Sequence, residues 1–108
     1  MKKSEIEGFL LEGNKYKYTV EFTNQFKKDT VNIIRRGFDV ELLRQTIKLL
    51  ATDGNLPAKY KAHKLEGNFK GLWECHVKDD WLLVWQQTDT NFTLMLTNTG
   101  THASIFGM

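Results

Sequence analysis

Four segments of the chain alternate apolar and polar side chains, or are rich in aromatic and β-branched residues, as is typical of β-strands. The first is Tyr16–Phe22, and the other three follow one another closely in the second half of the sequence. We predict strands over 16–22, 69–77, 81–87 and 91–98. Because short polar segments separate the last three, they are expected to form an antiparallel meander.

Two helices are predicted between the first strand and the meander. Thr23 or Asn24 is expected to cap the first helix, and Gly37 to end it. Asp39 is expected to cap the second, and Gly54 to stop it. Since only a few residues join them, the helices should form an antiparallel hairpin on one face of the sheet. Their expected apolar positions are Phe26, Thr30, Val31, Ile34, Leu42, Leu43, Ile47 and Leu50.

The order β-α-α-β-β-β describes a small α+β domain, in which a helical hairpin packs on a twisted antiparallel sheet. A chain of 108 residues suffices for one such core, and we place this single domain over residues 15–108. Residues 1–14 mix Ile6, Phe9 and Leu10 with charges. That pattern leaves open a short amphipathic helix or a partly ordered arm.

The composition of the chain is typical of a soluble domain and argues against membrane-spanning, disulfide-bonded and zinc-binding proteins. A hydrophobic content of 41%, a charged content of 26% and a net charge of +2 are ordinary for a soluble domain. The sequence shows no apolar run of membrane-spanning length and no signal peptide, so we expect a cytoplasmic protein without membrane contact. The single cysteine, Cys75, excludes an intrachain disulfide, and no Cys/His spacing indicates zinc. No metal or cofactor is predicted.

Lysines cluster around His63 with only Glu66 opposing them. Such a cluster suits a polyanionic partner, although solvated lysines explain most runs of this kind. The lysines concerned are Lys59, Lys61, Lys64 and Lys70.

The turn between the second and third predicted strands carries candidate acid–base chemistry. If Lys78 and Asp79 form a two-residue loop, His76 and Asp80 become diagonal neighbours across the two strands. The meander then returns His102 to the same edge of the sheet. Two histidines and a carboxylate at one edge suit an acid–base site, and the alternative is a structural hydrogen bond at a sheet corner.

Four blocks of the sequence resemble, in order and spacing, the YafQ branch of the RelE-type toxins. These are small ribosome-dependent endoribonucleases of bacterial type II toxin–antitoxin systems. The blocks are Leu56–Leu65, Gly67–Gly71, Glu74–Val84 and Thr99–Phe106, within a resemblance that extends over residues 16–107. It implies a RelE-like β-α-α-β-β-β-β layout, with a short C-terminal strand that the periodicity does not predict. Residues 1–14 fall outside it.

The resemblance also implies the site residues and a metal-independent reaction. A base removes the ribose 2′-hydroxyl proton, the oxygen attacks phosphorus, and an acid protonates the leaving 5′-oxygen. We favour His102 as acid, and His63, or His76 with Asp80, as base. The catalytic residues implied are His63, His76, Asp80 and His102, and the RNA-binding residues are Lys59, Lys61, Lys64, Lys70, Trp81, Asn98 and Phe106. Trp81 and Phe106 are expected to stack on bases.

Two positions depart from the family pattern, which usually has arginine where this chain has Trp73 and Asn98. Losing a cation where phosphate charge develops typically costs on the order of 10²–10³ in rate. One alternative is therefore a RelE-fold protein with attenuated catalysis, acting mainly through antitoxin and operator-DNA binding. Another is a metalloenzyme, which the lack of HxH or HExxH spacing disfavours.

The resemblance implies three partners. The first is a cognate antitoxin of the DinJ/RelB kind, expected to fold on binding and to supply carboxylates to the lysine clusters. The second is the ribosomal A site with its mRNA. Operator DNA is the third, and we expect it to be bound only through the antitoxin.

Overall fold

The fold is a five-stranded sheet in the order β1-β5-β4-β3-β2 with helices packed on it. The computed structural model describes residues 1–11 and 16–107. The strands are β1 (Thr19–Phe22), β2 (His63–Lys64), β3 (Trp73–Lys78), β4 (Trp81–Thr88) and β5 (Thr93–Thr101). The helices are α1 (Ile6–Leu10), α2 (Asn24–Arg35), α3 (Val40–Asp53) and α4 (His102–Phe106), with single 3₁₀ turns at Lys3–Glu5, Ala58–Tyr60 and Gly67–Phe69.

The predicted α+β class is confirmed, but the sheet is mixed rather than wholly antiparallel. Strand β1 runs parallel to β5, with Thr19 opposite Thr93, whereas β4 pairs antiparallel with both β3 and β5. Alternation of apolar and polar residues shows that a segment is a strand without showing which strand it pairs with. Parallel pairing needs a long connection, which the two helices and the meander supply here.

The layout implied by the resemblance has the right number of strands, but the additional strand is β2. It comes before the meander, and His63 lies opposite Glu74 of β3. The short C-terminal strand is not found, because the chain continues from β5 directly into α4. Thr101 caps this helix, its hydroxyl oxygen accepting a hydrogen bond from the Ser104 backbone N–H at 3.2 Å.

The loop of the β3–β4 hairpin is Asp79-Asp80, one residue later than predicted. Lys78 pairs with Trp81, and a bulge between His76 and Lys78 shifts the register. His76 consequently lies opposite Leu82 rather than Trp81. A bulge inserts one residue without a sequence signal, so the predicted loop and strand register are wrong by one residue.

Strand β4 is buried on both faces, as its five consecutive buried residues from Trp81 to Trp85 show. Trp81, Leu83 and Trp85 join the core beneath α2 and α3, whereas Leu82 and Val84 alternate with them on the opposite face. Helix α2 lies against β5 and α3 against β3. The helical residues that are almost fully buried are Phe26, Thr30, Ile33, Leu43, Thr46, Ile47, Leu50 and Ala51, so Ile33 replaces the predicted Ile34.

The N-terminal segment forms a short helix that belongs to the same core. Ile6 and Leu10 of α1 are fully buried, and α1 contacts both α2 and α3. Glu7 of α1 forms an ion pair with Lys27 of α2 at 3.0 Å. Of the two alternatives for this segment, the helix is therefore the one adopted, although residues 12–14 lie outside the described residues. Among the described residues, no helix is long and apolar enough to cross a membrane.

We expect Leu10→Ala to lower the free energy of unfolding by about 2–5 kcal/mol, because it leaves a cavity at a fully buried position. Urea denaturation followed by tryptophan fluorescence measures this. The control is Gly8→Ala on the same helix, where a new Cβ meets no atom within 4 Å. This control should be neutral or slightly stabilising. Equal effects of the two substitutions would show that α1 does not pack as described.

Candidate active site

The chain reverses at the end of β5 and brings α4 over one face of the sheet. Gly100 has φ +148°, and a Cβ there would lie 2.5 Å from Ser104 Oγ, so glycine is required at this close approach. Gly100 lies opposite Leu82, which in turn lies opposite His76. Helix α4 therefore covers the face that carries His76, opposite to α2 and α3.

Asp80 and His102 form a hydrogen-bonded pair at the edge of this face. The Nδ1–H of His102 donates to Asp80 Oδ1 at 2.5 Å, and the His102 backbone N–H approaches the same oxygen at 3.4 Å. The hydrogen bond from His102 holds the pKa of the Asp80 carboxyl below its ordinary value. Asp80 therefore orients His102, whereas the sequence had suggested that it orients His76. Nε2 of His102 is left for a ligand or substrate.

His76 has a different partner. Its Nδ1 lies 2.8 Å from the carbonyl oxygen of Asp79. A carbonyl oxygen only accepts hydrogen bonds, so Nδ1 carries the proton and Nε2 of the neutral ring is an acceptor. The rings of His76 and His102 are 6.3 Å apart, centroid to centroid. The two histidines could thus contact one small group bound between them.

His63 and Glu74 form a second pair on the same face. His63 Nδ1 lies 2.8 Å from the Lys61 carbonyl oxygen, and His63 Nε2 lies 3.0 Å from Glu74 Oε2. His63 thus lies within ion-pair distance of the buried Glu74 carboxyl, and such a partner lowers the cost of burying a carboxylate.

Glu74 was not among the residues predicted from the sequence. It is only 4% exposed, and its Oε1 has no hydrogen-bond partner among residues 1–11 and 16–107. The available signal was its alternation with His76 on β3, which places the two on one face. A carboxylate in a strand otherwise expected to be buried is the feature that could have revealed it.

The two predicted aromatic contacts have different surroundings. Phe106 packs edge-on against Phe69 at 4.7 Å, and its ring lies 5.9 Å from that of His102, so it borders the site. Trp81 is only 5% exposed, and its indole N–H donates to Thr99 Oγ1 at 2.9 Å. Its burial and its edge-on contact with Phe38 at 5.1 Å argue against the predicted stacking on a base.

The four predicted lysines divide into two pairs. Lys59 and Lys61 line a cavity of about 310 Å³ together with His76, and its other walls include Leu42 and Gln45 of α3. Lys64 and Lys70 line a separate depression beside Trp73, and Lys64 Nζ lies 5.6 Å from the Trp73 ring centre. The structure does not bring this second pair to the histidines.

The two positions that depart from the family pattern lie in different places. Trp73 alternates with Glu74, lies on the opposite face and stacks on Trp85 at 6.2 Å, so it does not border the site. Asn98 lies opposite Val84, which lies opposite Glu74, and it is half-buried. Glu74, Val84 and Asn98 are thus in register across β3, β4 and β5, and we call them the row of side chains that includes Glu74. Of the two positions, only Asn98 belongs to this row.

The described residues contain no group of three or more His, Cys, Asp or Glu side chains arranged to hold a metal ion. Cys75 is fully buried, and burial raises the pKa of its thiol to about 12, so it stays a thiol at neutral pH.

Comparison with known proteins gives one consistent result. The sequence model of the YafQ family, described as the bacterial toxin of type II toxin–antitoxin systems, matches residues 18–107. The mRNA interferase toxin YafQ of Escherichia coli K12 is 38% identical over 82% of this chain and 95% of its own length.

Two solved structures extend the comparison. The E. coli DinJ–YafQ complex contains a chain that is 37% identical, with a TM-score of 0.76 over 83% of this chain and 99% of that one. A metal-bound toxin from Helicobacter pylori is 40% identical, with a TM-score of 0.75 over 82% of this chain and 99% of its own.

We expect His102→Ala to raise the pKa of Asp80 towards its ordinary value, because the hydrogen bond that lowers it is lost. Carboxyl NMR titration measures this. Asp89 is an internal control, since a hydrogen bond from Tyr18 at 2.6 Å lowers its pKa independently.

A lowered folded-state pKa contributes stability above the unfolded pKa, and that stability is lost as pH falls through the folded value. As the pH falls into the acidic range, the free energy of unfolding should therefore decrease less in the variant than in the parent protein. An Asp80 pKa that stays low in the variant, or an Asp89 pKa that moves with it, would contradict the pairing.

Proposed function

The chain belongs to the YafQ family of bacterial toxins of type II toxin–antitoxin systems, and we propose that it is an mRNA interferase that cleaves translated mRNA on the ribosome. The observation that carries this proposal is the single sheet face with two histidine–carboxylate pairs and a third histidine between them. Family membership supports the choice of RNA as substrate, and imidazole is the side-chain group most often used for general acid–base catalysis.

In the proposed reaction, the ribose 2′-oxygen attacks the adjacent phosphorus without a metal ion. The bond between phosphorus and the 5′-oxygen breaks, leaving a 2′,3′-cyclic phosphate and a 5′-hydroxyl end. His102 takes the 2′-hydroxyl proton at Nε2, because Nδ1 is committed to Asp80 and the carboxylate stabilises the imidazolium that forms.

The acid in this proposal is the His63–Glu74 pair, whose two side chains lie 3.0 Å apart and which, when protonated, donates its proton to the 5′-oxygen. His76 presents Nε2 to the same face, where it contacts the phosphate group. The hydrogen bonds thus favour the reverse of the assignment suggested by the sequence, in which His102 was the acid.

The positions of the aromatic, basic and amide side chains suggest which part of the RNA each of them contacts. Phe106 is proposed to stack on a base, since it borders His102, and Lys59 and Lys61 to bind phosphates near His76. Lys64 and Lys70 are proposed to contact RNA nucleotides that lie farther from the cleavage site. Asn98 is proposed to donate a hydrogen bond to the phosphate region.

A cognate antitoxin is the proposed protein partner. A solved structure with a TM-score of 0.76 to this chain is the E. coli DinJ–YafQ complex, which supports an antitoxin of the DinJ/RelB kind. Operator DNA would be bound only through that antitoxin. Because translated mRNA is the proposed substrate, the proposed site of action is the ribosomal A site in the cytoplasm.

One observation favours attenuated catalysis as a second candidate function. Asn98 places an uncharged amide in the row of side chains that includes Glu74, where the family resemblance implies arginine. Charge that builds on the phosphate oxygens would then be met only by histidines and by Lys59 or Lys61. In this case the protein acts mainly as a binding partner of its antitoxin and, through it, of operator DNA.

We expect His102→Ala to lower ribosome-dependent cleavage at least about 10²-fold, because it removes the proposed base. The side chain is 44% exposed, so the thermal midpoint should change little. Primer extension on ribosome-bound mRNA measures the cleavage, and calorimetry measures the midpoint. Unfolding caused by this substitution would make the histidine structural and would remove the proposal.

A matched pair of carboxylates provides the control. Asp80→Asn should slow cleavage, whereas Asp89→Asn at the other end of β4 should not, although each removes an exposed carboxylate with a strong hydrogen bond. Glu74→Gln should also slow cleavage, because it removes the carboxylate that contacts His63. Cleavage by toxin that was treated with EDTA and desalted before it meets intact ribosomes supports the metal-free reaction, whereas activity recovered only on adding back a transition metal would favour a metalloenzyme.

Asn98→Arg is expected to raise the cleavage rate, because it supplies a cation where phosphate charge develops. Asn98→Gln, which lengthens the side chain without adding charge, is the control and should leave the rate near that of the parent. Single-turnover kinetics separate this effect from binding. Asn98 contacts the Asp29 carboxylate in this structure. An unchanged rate in the arginine variant would therefore indicate that the new arginine pairs with Asp29 instead of the phosphate. That result would favour the second candidate function, a protein with attenuated catalysis.

A further inference from the structure

The N-terminal segment extends a basic face of α2. Met1 to Lys3 pack beside α2, and together the two segments line a depression of about 430 Å³. Lys28, Asn32 and Arg35 are spaced at i, i+4 and i+7, so they share one side of the helix. Because the match to the family begins at residue 18, Lys2 and Lys3 are additions of this chain to that face.

The face continues to the candidate active site. Asn32 and Arg35 also line a second depression of about 260 Å³, whose other walls include Arg36, Gly100 and Ser104. Gly100 and Ser104 hold α4 in place, and α4 begins at His102. A chain lying in these two depressions would therefore reach the side of α4 that adjoins the histidines.

The basic side chains of this face are not engaged in ion pairs within the described residues, and the nearby acids have other partners. Glu7 is paired with Lys27, and Glu5 accepts a hydrogen bond from the Lys2 backbone N–H at 2.9 Å. Asp29 accepts hydrogen bonds from Gln25 at 2.8 Å and from the Thr99 backbone N–H at 3.2 Å. Within residues 1–11 and 16–107, the basic side chains of the face form no ion pair; these are Lys2, Lys3, Lys28, Arg35 and Arg36.

We infer that this basic face, formed by Lys2, Lys3, Lys28, Asn32, Arg35 and Arg36, binds the sugar–phosphate backbone of RNA beside the cleavage site. The inference rests on the proposed function, since it concerns the same RNA. Five cations and an amide, shared between α2 and the N-terminal segment beside it, suit a row of phosphates. Protein partners generally bind through apolar and aromatic centres depleted of lysine. Here the exposed side chains are mainly lysine, arginine and amide, and Met1 and the partly buried Val31 are the apolar members. The backbone bound is that of the mRNA or of ribosomal RNA.

The test compares two variants of the full chain that each lose two charges. Lys3→Gln/Lys28→Gln removes charge from the basic face, and Lys17→Gln/Lys48→Gln removes it elsewhere. Lys17 adjoins Phe92, beside the end of β5 remote from His102. The ligands are a 2′-O-methylated single-stranded RNA, which cannot be cleaved by 2′-hydroxyl attack, and purified ribosomes. Affinity is measured at several salt concentrations by fluorescence anisotropy and by co-sedimentation.

The face variant should bind at least one ligand more weakly than the control variant. The slope of log affinity against log salt should fall by about 1.4 for single-stranded RNA, or about 1.8 for helical RNA. A loss confined to the oligonucleotide identifies mRNA as the source of the backbone, and a loss confined to ribosomes identifies ribosomal RNA. Lys3→Arg/Lys28→Arg should restore binding in either case.

Equal binding by the two variants to both ligands would overturn the inference. So would a face variant that binds RNA normally but loses the cognate antitoxin, since the face would then be a protein interface. The proposed function is tested separately by cleavage with the unmodified chain. If the unmodified chain does not cleave RNA but its RNA binding depends on the basic face, the proposed nuclease function is wrong and the inference about RNA binding still holds.

Discussion

The burial of β4 on both faces is the constraint on which the rest of the structure depends. Five consecutive side chains from Trp81 to Trp85 are withdrawn from water, so each face of the central strand needs its own cover. Helices α2 and α3 lie on one face, and α1 fills the space beside them with Ile6 and Leu10. On the other face, α4 folds back at Gly100 and carries His102 over the sheet. The site is thus a consequence of how the second face is covered.

The two carboxylates of the site have contrasting surroundings. Asp80 is exposed at a turn and accepts from His102, and this hydrogen bond lowers its pKa. Glu74 is buried in β3 and lies 3.0 Å from His63 Nε2. One carboxylate is therefore solvated and the other is withdrawn from water, and such a difference in surroundings is what separates acid from base roles in many enzymes. Position in the fold therefore differentiates two pairs that look alike in the sequence.

The two departures from the family pattern, Trp73 and Asn98, have different surroundings because they lie at different places in the sheet. Successive residues of a strand point to opposite faces, so Trp73 belongs to the helix-covered side, where it stacks on Trp85. Asn98 is in register with Val84 and Glu74, and its side-chain amide donates a hydrogen bond to the Asp29 carboxyl of α2. The sequence does not distinguish the two substitutions, whereas the structure gives them different neighbours.

The sequence by itself determined the elements whose signals are local. Alternation marked β1 and the meander, helical spacing and the caps at Thr23 and Asp39 marked α2 and α3, and the spacing of His76, Asp80 and His102 marked one edge of the sheet. The tertiary structure alone decided the parallel pairing of β1 with β5, because strand partners are chosen by long-range packing. It also decided that Asp80 orients His102, because a bulge after His76 moves the turn by one residue. The part played by Glu74 likewise appeared only in the fold, because burial and an unpartnered oxygen are properties of its surroundings rather than of its place in the sequence.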